Sequence, residues 1–390
     1  MCRNIVQLYL IKAAKWFMLA MPVIMLFYES AHLDVQQVFI LKAVYSVMVV
    51  LCEIPSGYLS DVWGRKNALV LGTVFGAMGY GCYATSSGFW FFLIAEILLG
   101  IGQSCISGSD SALLYDTLKD EQRTSDYLLV EGRITSWGNL LEAVAGVLAG
   151  LLATYSIRYP MIGQAFVSLI GIPAALMLRE PSSSSEHRIA SFGEVVQVVK
   201  SSFVEHIALR NALLFSSIIG TATLTMAWLL QLLFKEMSIP VSQYGVLWTG
   251  LNLLVAWGSI RAFYIEKRIQ SRWLSVIILI GVVGGYLAVG LVSGYWVFTF
   301  VIIFYLTRGV ATPTLKNMVN QRTTSSIRAT VLSIRNFLIR ILFAVIGPIL
   351  GGVTDRLGLH VSMVLMAIIV FILGSVVLMM ENQRRKRDEI

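Results

Sequence analysis

Twelve stretches of this chain are apolar over about 20 residues, the length at which an α-helix crosses the hydrocarbon of a bilayer. That feature leaves few folds open. Inside lipid every backbone N–H and C=O must be satisfied within the protein, so only helix bundles and closed barrels span it. Barrel strands run about ten residues, far shorter than these segments, and the chain reads as an all-α integral membrane protein. The segments lie near 5–28, 36–60, 67–86, 89–118, 127–154 and 158–178, then 209–234, 244–265, 273–292, 296–320, 328–353 and 360–381. The fourth is too long for a simple span and is expected to tilt or to project into the cytoplasm. Charged residues make up only 13% of the chain, against roughly a quarter in soluble domains, as the cost of charge in hydrocarbon requires.

Between the sixth and seventh segments, 179–188 holds a proline and a serine run, which stop a helix and make a flexible linker. Residues 192–200 have the pattern of a short amphipathic helix on the membrane surface. The expected organisation is an N-terminal six-helix bundle over 1–180, a cytoplasmic linker over 181–206, a C-terminal six-helix bundle over 207–382 and a basic cytoplasmic tail over 383–390. Two such halves imply pseudo-symmetric bundles. The net charge is +8, but the bases cluster at segment ends, which fits membrane topology and not nucleic-acid binding. Loops on the side of the N-terminus carry about eighteen Lys and Arg against about three on the other side, which places both termini in the cytoplasm. Cys52, Cys82 and Cys105 lie inside apolar segments with no metal-ligand spacing and read as core residues. No cofactor or metal is expected. Nor is an enzyme: no nucleophile–base pair, phosphate loop or metal-ligand cluster is visible.

The turn between the second and third segments is the densest motif: Gly57, Asp61, Gly64, Arg65 and Lys66 in the spacing G-x-x-x-D-x-x-G-R-K. Gly57 allows close backbone approach and Gly64 permits the reversal. Asp61 can accept from a helix N-terminus, where the dipole favours an anion. This spacing, the twelve segments and the mid-chain linker resemble the major facilitator superfamily over the whole chain. The resemblance implies the fold of that family, twelve transmembrane helices in two pseudo-symmetric six-helix bundles. It also implies a cytoplasmic latch of Gly57, Asp61, Gly64 and Arg65, with Asp116 as partner of Arg65. Residues 258–268, the corresponding loop of the second half, have lost the pattern. Glu96 stands in the neighbourhood where proton-coupled members often carry an arginine. The fifth segment has Gly138, Glu142, Gly146 and Gly150 without the proline usual in drug antiporters, which argues against that subclass. The glycine spacing itself fits close helix packing.

Polar residues recur at helical spacing inside the segments. The fourth carries Glu96, Gly100, Gln103, Ser107 and Asp110 on one face. The seventh carries Thr221, Thr225, Trp228 and Gln231, the tenth Tyr305, Arg308, Thr312 and Lys316, and the first Lys12 and Lys15. By the resemblance these four helices line a central cavity. Substrate-cavity candidates are Gln103, Ser107, Thr225, Trp228, Gln231, Tyr305, Arg308, Thr312, Asn336 and Arg340. Intramembrane carboxylates are candidates for proton coupling: Glu53, Glu96, Asp110 and Glu142. The competing role is ion pairing between helices, for example of Asp110 or Glu142 with a neighbouring base, while Lys12 and Lys316 are placed to snorkel. Arg308 and Arg340 do not release a proton readily and are placed either to pair with a carboxylate or to bind an anionic substrate group. The expected function is secondary active transport by alternating access, as proton-coupled export of an amphipathic or organic-anion compound. The alternatives are uptake of an organic anion or nutrient, and a non-transporting receptor or scaffold on the carrier fold. The expected partners are a small-molecule substrate, protons and the bilayer of an inner or plasma membrane, with the protein a monomer.

Overall fold

The apolar segments fold as helices with ends within a few residues of the expected ones. The computed structural model describes residues 3–181, 199–324 and 327–388. Among the described residues there are no strands, and twelve helical stretches are long and apolar enough to cross a membrane. In chain order the helices are α1 (Arg3–Trp16), α2 (Ile24–Ser30), α3 (Val35–Trp63), α4 (Arg65–Thr85), α5 (Phe89–Ile106), α6 (Ser109–Asp120), α7 (Tyr127–Tyr155) and α8 (Tyr159–Leu176). They continue as α9 (Ile207–Glu236), α10 (Val241–Arg268), α11 (Ser271–Leu291), α12 (Val297–Asn320), α13 (Arg328–Leu357) and α14 (Leu359–Asp388). Contacts divide the chain into one unit of Met1–Ile189 with Ile239–Thr249 and another of Ala190–Ser238 with Gly250–Ile390.

In the first unit two spans are interrupted. The first breaks between α1 and α2, where a tight turn over Met21–Val23 carries Pro22. The fourth breaks at Ser107 and Gly108. Gly108 takes φ +84°, a left-handed conformation that glycine adopts without strain. The ladder ends with Ser107 N donating to Gln103 O (2.9 Å) and restarts at Ser109. The over-long fourth segment is thus divided by a break into α5 and α6. Beyond the breaks, Ile5, Leu8 and Ile11 of α1 pack with Leu113, Leu114 and Leu118 of α6 and with Ala174 and Ala175 of α8. At the start of α3, Asp34 and Gln37 form a reciprocal cap (2.7 and 3.2 Å). The glycines of α7 pack as their spacing implies. A Cβ on Gly146 would meet Thr249 Oγ1 at 2.6 Å, and one on Gly150 would meet Ser242 O at 2.6 Å. Lipid tails are as apolar as side chains, so such close packing, not transfer from water, holds membrane helices together.

In the second unit α9 packs on α11, α12, α13 and α14. Its apolar window is 83% buried against 22% for α13, which makes it the enclosed helix of the unit. Leu209 and Leu213 of α9 meet Val319, Val331 and Ile334 there. The residues expected as a separate tail are helical to Asp388 as the last turns of α14, with Arg384 and Arg385 reaching back to Glu381 (3.0 and 3.4 Å). The amphipathic helix expected over 192–200 lies outside the described residues apart from its last two positions.

Candidate functional site

Four charged or hydroxyl groups meet in the interior of the first unit. Glu96 of α5 is 1% exposed. It pairs with Lys42 of α3 and accepts from Tyr28 of α2 (2.8 Å) and from Tyr83 of α4. The two tyrosine oxygens lie 2.6 Å apart. The Lys42 ammonium also sits 5.1 Å from the Tyr28 ring centre, and Phe27 and Phe92 pack around the pair of tyrosines. A carboxylate buried in apolar surroundings requires this degree of pairing. Glu96 is thus the hub of a sealed cluster, with its acceptor capacity shared among three donors.

A second group lies where the two interrupted spans meet. Asp110 sits in the first turn of α6, whose N-terminal amides favour an anion, and Lys15 sits in the last turn of α1, whose carbonyls favour a cation. Lys12 reaches Asp110 at 3.4 Å, and Ser111 donates to Glu131 of α7 at 3.0 Å. Lys12, Lys15, Asp110 and Glu131 line a cleft of about 10 Å³, room for roughly one water. Asp110 and Lys12 remain partly exposed, at 14% and 12%. Lys12 was expected to snorkel; here it turns inward to Asp110. The fourth-segment stripe is not one face. The break leaves Glu96 and Gly100 buried against α3, Gln103 half-buried and Ser107 exposed, and turns Asp110 toward α1.

The charged turn holds a third group. Arg65 and Asp116 form an ion pair, both buried, and Arg65 also donates to Ala112 O. Gly64, at φ +96°, lets α4 start immediately after α3. The carboxylate that caps α4 is not Asp61, which is exposed, but Glu180, which accepts from the amides of Arg65 and Lys66 at 2.8 Å each. Gly57 is exposed, with open space around it. Beside this group Asn4 donates to Thr117 (3.0 Å) and exchanges two hydrogen bonds with the backbone of Arg179 (2.9 Å each).

In the second unit the α9 hydroxyls are spent on backbone: Thr225 donates to Thr221 O (2.9 Å), and Thr221 to Ser217 O (2.8 Å) and Ile339 O (3.2 Å). Trp228, Gln231 and Tyr305 are buried, Arg308 and Arg340 half-buried, and Thr312, Lys316 and Asn336 exposed. The Arg308 guanidinium lies 5.5 Å from the Tyr305 ring centre. Glu53 and Glu142 are half-buried on α3 and α7, each engaged by a neighbour. Sequence reasoning missed Tyr28, Tyr83, Glu131 and Glu180. It also missed Arg335, which donates to Ser216. The tyrosines read as core filling, and the carboxylates lie near segment ends.

Ionisable groups held inside membrane spans commonly mark functional sites, and both units carry such groups on helices long and apolar enough to cross a membrane. Residues 8–229 match the sequence profile of the Major Facilitator Superfamily, and the chain belongs to that family. The MFS-type transporter YqjV of Bacillus subtilis is 29% identical over 171 residues, which cover 43% of this chain and 41% of that protein. The chain thus spans about two fifths of that relative. The class E tetracycline resistance protein of Escherichia coli is 23% identical over 80% of this chain and 76% of its own length, and multidrug resistance protein 2 of B. subtilis 24% identical over 44% and 42%. Among solved structures, the nucleoside transporter NupG superposes with a TM-score of 0.78 at 13% identity over 97% of this chain and 98% of its own. A bacterial homologue of the lysosomal transporter Spinster gives 0.78 at 14% identity over 97% and 96%. These structural likenesses are of fold alone.

Proposed function

We propose that this protein is a secondary active carrier that exports an amphipathic or organic-anion compound in exchange for protons by alternating access. The observation that carries the reading is the cleft at the two interrupted helices, where Asp110 faces Lys12 within reach of water. A carboxylate must be reachable to load and release a proton, and Asp110 is, whereas Glu96 is sealed among Lys42, Tyr28 and Tyr83. Asp110 is therefore assigned the coupling role, with Glu131 as neighbour and Glu53 and Glu142 as further candidates, and Glu96 a structural role. The names of the tetracycline and multidrug resistance relatives favour export. Gln103, Trp228, Gln231, Tyr305, Arg308 and Arg340 are the substrate-contact candidates retained. Ser107, Thr312 and Asn336 are exposed and stay in the set, while Thr225 fits less directly, because its hydroxyl is bound to its own helix. Gly57, Asp61, Gly64, Arg65 and Asp116 are assigned to a cytoplasmic gate in a plasma-membrane monomer with cytoplasmic termini.

A second reading is uptake of an organic anion or nutrient. It is favoured by Arg308, half-buried and paired with no carboxylate among the described residues. The test is substrate-dependent proton movement in proteoliposomes across a panel of amphipathic cations and organic anions. Proton entry coupled to loss of an internal compound supports export, and entry coupled to uptake supports the second reading. Binding without any flux would leave a receptor or scaffold.

A further inference from the structure

The second unit contains a cleft of about 520 Å³ that none of the transport candidates occupies. It runs between α11 and α14, beside the start of α9 and the end of α12. Alternating helix direction sorts its lining. The starts of α9 and α11 and the ends of α12 and α14 fall at one mouth, which carries Asn211, Arg272, Arg322, Glu381 and Arg385. From Ser271 to Leu287 the rise along α11 is about 24 Å at 1.5 Å per residue, and along that course the lining becomes Leu279, Val283, Leu287 and, from α14, Phe371. One end is charged and the rest is hydrocarbon.

The mouth carries surplus positive charge. Glu381 is its one carboxylate, and Arg322 (3.4 Å), Arg384 (3.0 Å) and Arg385 (3.4 Å) all converge on it. Arg272 pairs with no carboxylate among the described residues. It lies 5.7 Å from the ring centre of the exposed Trp273, at the first turn of α11. Burial holds the Arg322 guanidinium below its ordinary value, a cost that an arriving anion relieves. Asn211 is 2% exposed and donates its amide to Glu381 (3.1 Å), which leaves its Oδ1 buried without a hydrogen-bond partner. At the wall of this mouth, such an oxygen is suited to accept from a hydroxyl and not from a bare phosphate oxygen.

We propose that this cleft binds an anionic phospholipid with a hydroxyl-bearing headgroup, the glycerol type: phosphate at Arg272 and Arg322, headgroup hydroxyl toward Asn211, and one acyl chain along Leu279 to Leu287. Basic pockets between transmembrane helices at headgroup level recognise such lipids. The starts of α9 and α11 and the end of α12 bring the bases together, and the apolar lining continues along α11 from there. A water-soluble phosphate ester would leave that length empty. The site is independent of which solute the carrier moves and of the direction of transport.

The test uses the full chain purified in detergent, with lipid retention read by native mass spectrometry. Phosphatidylglycerol, phosphatidic acid and phosphatidylcholine compete at equal concentration, with glycerol phosphate as the soluble headgroup arm. Phosphatidylglycerol should be retained over phosphatidylcholine at least fivefold and, more narrowly, over phosphatidic acid. Arg272→Gln, which breaks no ion pair, should weaken retention about fivefold, the effect of one arginine near a headgroup. Gly284→Trp fills the apolar part of the cleft, where an added Cβ meets nothing within 4 Å, and should lower retention of every lipid. Equal retention of phosphatidylglycerol and phosphatidylcholine overturns the proposal, and so does unchanged retention in both variants. Displacement by glycerol phosphate at the same concentration overturns it in favour of a soluble anion site, and displacement by an amphipathic transport substrate in favour of a substrate entry path.

Discussion

Replacing Lys42 with methionine removes one partner of the sealed pair and leaves the other. Glu96 is 1% exposed and the Lys42 side chain 9%, so solvent cannot replace the lost cation. Breaking a buried pair from one side costs about 3–5 kcal/mol, most of it from the stranded charge. Tyr28 and Tyr83 continue to donate to Glu96, and hydrogen bonds to a charged group contribute about 1.5–3 kcal/mol each, so the lower figure, about 3 kcal/mol, is expected for Lys42→Met. In the double variant Lys42→Met, Glu96→Leu both charges are gone and one of the two tyrosines, 2.6 Å apart, donates to the other. Replacing a whole buried pair with apolar groups is often close to neutral, so the double variant should be less impaired than Lys42→Met alone. Equilibrium unfolding in mixed micelles, read as a double-mutant cycle, measures this. A Lys42→Met cost below about 1 kcal/mol, or a double variant as costly as the sum of the singles, would refute the reading of Glu96 as a structural hub.

Two further perturbations isolate single features. Glu180→Ala should remove the cap on α4, cost about 1 kcal/mol and speed hydrogen exchange at the Arg65 and Lys66 amides. Asp61→Ala should leave those amides unchanged. Gly245→Ala would place a Cβ 1.8 Å from Gly146 O and should lose folded yield in size-exclusion profiles, whereas Gly250→Ala, on the same helix with nothing within 4 Å, should not.

The spans were legible because each carries its own signal, about 20 apolar residues with charge at the ends. The break in the fourth was not, since apolar periodicity runs on through Ile106 and resumes at Leu113. The clue available was Ser107-Gly108-Ser109, small polar residues around a glycine. Arg65 and Asp116 were paired in advance through a motif, and the structure places them in contact. Glu180 could not be linked to α4 that way, because it stands 115 residues from Arg65 and belongs to no motif. Tyr28 and Tyr83 look like ordinary apolar filling in sequence; only the fold aims both hydroxyls at Glu96.

The central claim is that Asp110 carries the coupling proton while Glu96 does not. Proton movement driven by a transported compound, followed with a pH-sensitive dye in proteoliposomes, compares wild type with Asp110→Asn directly. The account predicts that Asp110→Asn abolishes compound-dependent proton movement while exchange of compound across the bilayer without a pH gradient persists. Proton movement that continues undiminished in Asp110→Asn would contradict it.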